Sequence, residues 1–328
     1  MSSLFLTSDD WAHYKAAEEP IRKGFGRGLV AAGHASERVV AACADLTGST
    51  AMDGFAKEFP DRFVQVGVAE QNLVTVGAGL AAIDKVPFVS SYAAFSPGRN
   101  WEQIRTTICL NDRPVKIVGS HAGLYTGADG ATHQMLEDIA LMRVLPNMVV
   151  VVPGDSVEAQ KATVALAIDS RPAYLRMARE ATPIFTTEKT PFAIGDAYVL
   201  TSGQDITLIA TGTMTYPALV AADKLYKDGI DAEVVHVPTI KPLDTETIIK
   251  SARKTGAVIT IEEAQVVGGL GGAVSETLSE HHPVPVLRMG VQNTFGESGK
   301  PDELLEAHRL TSKHIILQAH HLIAKRSS

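Results

Sequence analysis

Short apolar runs alternate with longer stretches of helical spacing along the whole chain, and this alternation constrains the fold more than any other feature. A sheet covered by helices reads this way. Met148-Val-Val-Val-Val152 is apolar throughout, which suits a strand buried on both faces, as in a parallel sheet. Further strands are predicted at Val39–Ala44, Phe63–Val66, Val86–Ser90, Val115–Val118 and Ala173–Arg176. Helices are predicted over Arg22–Ala32, over a segment after Gly67 with Leu73, Val76 and Leu80 at helical spacing, and near Asn100–Leu110, Met135–Val144 and Ser156–Asp169. The stretch Arg179–Pro191 is polar, holds two prolines and has no sustained period, so it reads as a linker. Beyond it the pattern resumes with a strand at Asp205–Thr211, a helix at Tyr216–Lys227, and strands at Ala232–Val237 and Ala257–Ile261. A glycine-rich turn and a helix follow. The expected fold class is α/β, with two open parallel-type sheets flanked by helices. The expected domains are residues 1–188 and a smaller unit, 189–328. The halves are not copies of one repeat, and no segment is of low complexity.

Composition narrows the function. The 328 residues are 45% hydrophobic and 20% charged, which is a globular balance. Thirty Lys and Arg against thirty-seven Asp and Glu give a net charge of −7. That excess argues against non-specific binding to nucleic acid or anionic lipid, but leaves room for a local basic pocket. The only cysteines, Cys43 and Cys109, support neither a disulfide framework nor a cysteine-based zinc site, and they suit a reducing compartment. The amino terminus lacks the basic flank and apolar run of a signal peptide, and no stretch reaches the roughly 20 apolar residues of a membrane span. The expected location is the cytoplasm, with no membrane and no nucleic-acid partner.

Two segments carry candidate chemistry. In Val66-Gly-Val-Ala-Glu-Gln-Asn-Leu73, Glu70 falls in the first turn of a helix that follows a strand. It reads either as a carboxylate complementing the helix dipole or as a functional acid at the carboxyl edge of a parallel sheet. On the second reading, apolar neighbours on both sides would disfavour its ionised form and let it exchange a proton with a heterocyclic nitrogen. The segment Ser120-His-Ala-Gly-Leu-Tyr-Thr-Gly-Ala-Asp-Gly-Ala-Thr-His-Gln134 follows a strand and lacks any period, and such long loops are usually functional. His121 and His133 do not have helical metal-ligand spacing and lack a cysteine partner. Proton handling, or hydrogen bonding to an oxygen-rich ligand beside Asp129, is the better reading, and no metal site is expected.

Other residues are informative only by position. Arg22, Arg176 and Arg179 stand near element ends, where most arginines are simply solvated. Ser49, just after the first strand, could meet a phosphate with loop amides. Tyr92-Ala-Ala-Phe95 closes a strand, where an aromatic is usually core but could stack on a planar ring. Gly268-Gly-Leu-Gly-Gly-Ala-Val274 lacks the third glycine and the downstream acid of a dinucleotide fingerprint, so close helix–sheet packing is the better account. The pairs His281-His282 and His320-His321 are expected to be exposed.

In order and spacing, these segments resemble the carboxyl-terminal half of transketolase over nearly the whole chain. The resemblance rests on Ala44–Ser49, Val68–Asn72, Tyr92–Phe95, Gly130–Gln134, Leu145–Met148 and Phe295–Gly299. It implies a thiamine-diphosphate-binding pyrimidine domain followed by a transketolase C-terminal-like domain. Glu70 would hydrogen-bond N1′ of the aminopyrimidine and promote the imino tautomer that takes the thiazolium C2 proton. The cofactor is the electron sink, and the protein supplies orientation and electrostatics. Phe95 would stack on the pyrimidine with Tyr92 beside it, and Asp45 would lie near the cofactor. His133, a catalytic residue with Glu70, and Asp129 would hydrogen-bond the sugar hydroxyls. Arg22, Ser49, His121 and Arg179 would form the substrate phosphate pocket, with Arg176 outside it.

The resemblance also exposes an absence. Full-length relatives hold the diphosphate through a metal bound by Gly-Asp-Gly and a later Asn, and only Gly127-Ala-Asp-Gly130 occurs here, in the sugar loop. The expected protein is one subunit of a split transketolase of pentose phosphate chemistry. Its amino-terminal partner would bind Mg2+ or Ca2+ and share the thiamine diphosphate, and the pair would form an α2β2 heterotetramer acting on phosphorylated sugars. Leu124-Tyr125-Thr126 departs from the usual Gly-Leu-Gly-Glu, which bears on sugar selectivity. The competing readings are the β subunit of a 2-oxoacid dehydrogenase, a 1-deoxyxylulose-5-phosphate synthase, and a scaffold that kept the fold without the chemistry.

Overall fold

The apolar runs become central strands. The computed structural model describes residues 5–326, and its strands fall into sheets of seven, five and two. In chain order they are β1 (Glu18–Pro20), β2 (Val39–Cys43), β3 (Phe63–Gln65), β4 (Val86–Tyr92), β5 (Lys116–Ser120), β6 (Val149–Val151), β7 (Ala173–Arg176) and β8 (Ala181–Pro183). The second half adds β9 (Tyr198–Thr201), β10 (Ile206–Ala210), β11 (Ala232–His236), β12 (Thr239–Lys241), β13 (Val258–Gln265) and β14 (Val286–Val291). The helices are α1 (Ile21–Ala35), α2 (Asp53–Glu58), α3 (Glu70–Ala82), α4 (Trp101–Gln103), α5 (Asp138–Arg143), α6 (Ser156–Ile168), α7 (Thr215–Lys227), α8 (Thr245–Thr255), α9 (Leu270–His281), α10 (Pro301–Ala307) and α11 (Ser312–Arg326).

The first sheet runs β12-β6-β7-β5-β4-β2-β3, parallel except where β12 meets β6. The second runs β14-β13-β10-β11-β9 and is parallel except for β9. Every residue of β2, β5, β6, β7, β10 and β11 is buried, as strands covered on both faces require. On one flank α1 lies close against α6. A Cβ at Gly28 would come 2.7 Å from the carbonyl oxygen of Gln160, so only glycine permits this approach. The second domain's glycine-rich turn serves close packing in the same way. The Glu262 carboxylate fills the space a Cβ on Gly269 would need, and it accepts the N–H groups of Leu270 and Gly271, both at 2.8 Å.

The structure corrects the expected linker. Part of Arg179–Pro191 is β8, which pairs antiparallel with β1 in the register Glu18 to Pro183 and Pro20 to Ala181. One buried group anchors the segment that follows β8. Asp155 caps α6 and also accepts the N–H groups of Phe185 (2.9 Å) and Thr186 (2.7 Å) and the Thr186 hydroxyl (2.8 Å). Strand β12 crosses over: it comes from the second half of the chain but completes the edge of the first sheet. The helix expected at Asn100–Leu110 is one α turn continuing as a π-helical turn over Ile104–Cys109, and that expected at Met135–Val144 is the shorter α5.

Candidate functional site

Strands β2, β3, β4, β5 and β7 are parallel, so their carboxyl ends open on one edge of the first sheet. After β3, Gly67 adopts φ +73° and the chain turns into α3, which begins at Glu70. The Glu70 carboxylate lies at the positive end of the helix dipole and is 3% exposed. Its surroundings differ from the expected apolar ones. Arg99 Nη1 donates to Glu70 Oε2 at 2.9 Å, and the Arg99 guanidinium carbon lies 4.6 Å from the centre of the Phe95 ring. Asn100 secures the neighbouring backbone, because its side-chain amide donates to the Glu70 carbonyl at 2.8 Å and to Ser96 Oγ at 3.1 Å.

An aromatic cluster stands at the same sheet edge. Tyr92 ends β4 and stacks on His121, which follows β5, with ring centres 3.8 Å apart. Phe95 lies 6.1 Å from Tyr92 and 5.4 Å edge-on from His133. His121 takes a positive φ of 56° and its Nδ1 lies 2.8 Å from the Ser120 hydroxyl. Burial pushes the His121 imidazole down to about 3, and the charges of Arg22 and Arg179 add to the effect. At neutral pH this ring is an uncharged hydrogen-bonding group.

The paired strands β1 and β8 bring two distant arginines together. Arg22 follows Pro20 by two positions, Arg179 precedes Ala181 by two, and Pro20 pairs with Ala181. The Arg22 guanidinium donates to the Arg179 carbonyl, and burial lowers the proton affinity of Arg22. Arg179 Nη1 donates to the Thr126 carbonyl at 2.9 Å and lies 3.5 Å from Asp129 Oδ1. The expected irregular loop therefore contains an ordered piece, a 3-10 segment at Leu124–Asp129 interrupted at Gly127. Leu124, Tyr125 and Thr126 are all buried, and the Tyr125 N–H donates to Glu263 Oε1 at 2.8 Å. Tyr125 also lines, with Arg179 and Lys300, a cavity of about 860 Å³ beside the loop.

Not every expected residue joins these contacts. Asp45 and Ser49 stand exposed on the loop after β2, at the same sheet edge, and neither side chain hydrogen-bonds to the Arg22–His121 group. The Asp45 N–H donates to Gln65 Oε1 at 3.0 Å. Among the described residues no group of three or more His, Cys, Asp or Glu is placed to hold a metal ion, and no helix is long and apolar enough to cross a membrane. Sequence reasoning missed Arg99 and Asn100, although their position just past the aromatic pair at a strand end was a usable signal. It also missed Glu263, whose role depends on tertiary contacts alone.

The edge thus combines a buried carboxylate, an aromatic ring under a guanidinium, and two linked arginines beside a neutral histidine. Such a set can hold a planar nitrogen heterocycle and an anionic sugar together. The family model described as transketolase, pyrimidine binding domain, matches residues 18–184, and that described as transketolase, C-terminal domain, matches residues 195–315. A putative transketolase C-terminal section from Methanocaldococcus jannaschii is 45% identical over 298 residues, covering 90% of this chain and 93% of that one. A 6-deoxy-6-sulfo-D-fructose transketolase subunit from Clostridium sp. is 41% identical over 291 residues, covering 89% and 90%. The solved structure of a split gene transketolase, an inactive β4 tetramer, has a TM-score of 0.86 at 42% identity, covering 94% of this chain and 99% of that one. Matched in both domains and along most of its length, this chain belongs to the transketolase family.

Proposed function

We propose that this chain is the carboxyl-terminal subunit of a two-component, thiamine-diphosphate-dependent transketolase, which moves a two-carbon ketol unit from a ketose phosphate to an aldose phosphate. The observation that carries the reading is the buried Glu70 carboxylate joined to the Phe95 ring through one side chain, Arg99. A planar, N–H-donating cation already fits between the two, since the Arg99 guanidinium bonds to one and lies over the other. The residues present therefore suit an aminopyrimidine. Bound thiamine diphosphate would supply the electron sink that lets a carbon–carbon bond next to a ketose carbonyl break.

The chain's own residues do the rest. Glu70 would hold a proton at its carboxylate oxygen opposite the pyrimidine nitrogen, and Phe95 would offer its face to that ring with Tyr92 beside it. Asp45 would lie near the cofactor. Arg22 and Arg179 supply positive charge for the substrate phosphate, Ser49 adds a hydroxyl, and His121 contributes an uncharged ring. Asp129 and His133 bind sugar hydroxyls, and His133 assists proton movement there. Residues 1–188 make up the site-bearing domain and residues 189–328 the second. We assign the diphosphate and its Mg2+ or Ca2+ to an amino-terminal partner subunit, because the family's metal motif has no counterpart here and such cations need a set of oxygen ligands. The split-gene relative is inactive as a β4 tetramer, which supports a required partner of a different kind. An α2β2 assembly in the cytoplasm, acting in pentose phosphate chemistry, completes the proposal. Cys43 and Cys109 are free and buried, in keeping with a reducing compartment. A 2-oxoacid dehydrogenase β subunit has no need of the linked arginines, and a scaffold would have no need of Glu70.

The test is an assay with ketose phosphate, aldose phosphate, thiamine diphosphate and Mg2+, run on this chain alone and with its partner. Turnover is expected only for the pair. Robust turnover by the single chain would overturn the split arrangement, and none by the pair would overturn the activity.

A further inference from the structure

We infer that Arg99 is a built-in occupant of the pyrimidine cradle, a side chain that must swing out before a planar ring can enter. The inference rests on the reading of Glu70 and Phe95 given above and deepens it. Both of those partners are engaged by one guanidinium, which donates to Glu70 Oε2 at 2.9 Å and lies 4.6 Å from the Phe95 ring centre. A guanidinium is planar, carries N–H donors and stacks on aromatic faces, so it occupies the cradle in the manner of an amino-heterocycle. A ring placed between the same carboxylate and the same aromatic face competes with it directly.

The arrangement also explains how the side chain can leave. Asn100, fully buried and tied to Glu70 and Ser96, fixes the backbone, and the Arg99 N–H donates to the Phe95 carbonyl at 3.2 Å. The Arg99 side chain itself is 52% exposed, so it reaches solvent by rotation alone. Nothing but a partly exposed ion pair and one cation–π contact retains it, and both are weak interactions. While the cradle is empty of cofactor, Arg99 gives the buried Glu70 carboxylate a counter-charge it would otherwise lack. A guanidinium left on Glu70 Oε2 would also occupy an oxygen needed for the proton exchange assigned to that carboxylate, which is a second reason for it to swing away.

The experiment uses the assembled two-subunit protein and follows binding of thiamine diphosphate in the presence of Mg2+ by calorimetry. Arg99→Ala and Arg99→Gln should lower the Kd about three- to tenfold, the range that a weak ion pair plus one cation–π contact supplies. Thermal melting of this chain alone should move the opposite way, because Glu70 loses its counter-charge. Phe95→Ala should raise the Kd. A Kd that is unchanged or raised in both Arg99 variants, with Phe95→Ala still weakening binding, would overturn the occupant role and leave the site reading intact. A Kd indifferent to Phe95→Ala and to Glu70→Ala would overturn both. Using two Arg99 replacements guards against one that fails to fold.

Discussion

The edge of the first sheet and the seam between the two domains use the same side chains in opposite ways. At the edge, Arg99 and Arg179 are 52% and 32% exposed and hold only a few partners each. In the seam, Arg176, Asp138 and Glu263 are 4%, 0% and 2% exposed. Arg176 Nε donates to Asp138 Oδ2 at 2.9 Å and its Nη2 donates to the Glu263 carbonyl at 2.9 Å, while the Tyr174 hydroxyl donates to Asp138 at 2.7 Å. Glu263 spends its oxygens on the Tyr125 N–H and the Thr213 hydroxyl. Nearby, His236 lies 2.8 Å from Glu158 and 2.7 Å from the Thr215 hydroxyl. Apart from one oxygen each on Asp138 and Glu158, the seam's charges are satisfied within the chain. A buried ion network with nearly all its groups paired fixes one arrangement of elements. Charges with spare hydrogen-bonding capacity at a sheet's carboxyl edge are free to meet a ligand.

The sharpest attack on this contrast is Glu70→Gln. In the presence of the partner it should lower kcat by about 10²–10⁴, the usual weight of a proton-transferring group, with an unchanged circular dichroism spectrum. Undiminished turnover would mean that the edge is not chemical. Next is Arg176→Met, which leaves Asp138 and Glu263 buried without their cation and should destabilise the chain by roughly 3–5 kcal/mol in denaturant unfolding. A loss below about 1 kcal/mol would put the seam on a par with surface ion pairs. Arg22→Ala is the mirror case. It should raise KM for phosphorylated sugar about tenfold or more, as the loss of a charged hydrogen bond does, without a comparable effect on a sugar lacking phosphate. An equal effect on both sugars would remove Arg22 from the phosphate pocket.

A further test is one of pH. The folded His121 has its proton affinity depressed from 6.5 to about 3, so below pH 6.5 the unfolded chain binds more protons than the folded one. The stability His121 contributes is present above pH 6.5 and lost as pH falls towards about 3. His121→Asn should flatten the dependence of unfolding free energy on pH in that window. An unaltered slope would show that the ring is not held neutral by its surroundings.

The sequence made much of this architecture legible because buried parallel strands have to be apolar, and Val39–Cys43 and Val149–Val151 show it directly. It hid β1 and β8, since Glu18-Glu-Pro20 is polar and becomes a strand only through its register with Ala181–Pro183. The same logic divides the site. Glu70, Tyr92, Phe95 and His121 could be picked out because each follows a recognisable strand. That Arg99 sits on Glu70, or that Glu263 holds the Tyr125 loop, depends on packing between elements far apart in the chain, which periodicity does not encode.

The crossing strand β12 has a consequence for how this molecule can be divided. A fragment ending near residue 190 would keep every candidate site residue, yet β6 would lose its neighbour Thr239–Lys241 and present Val149–Val151 as a naked border. Such borders recruit foreign chains and precipitate. The two folding units are therefore interlocked, and a cut between them would leave the first with an unpaired edge.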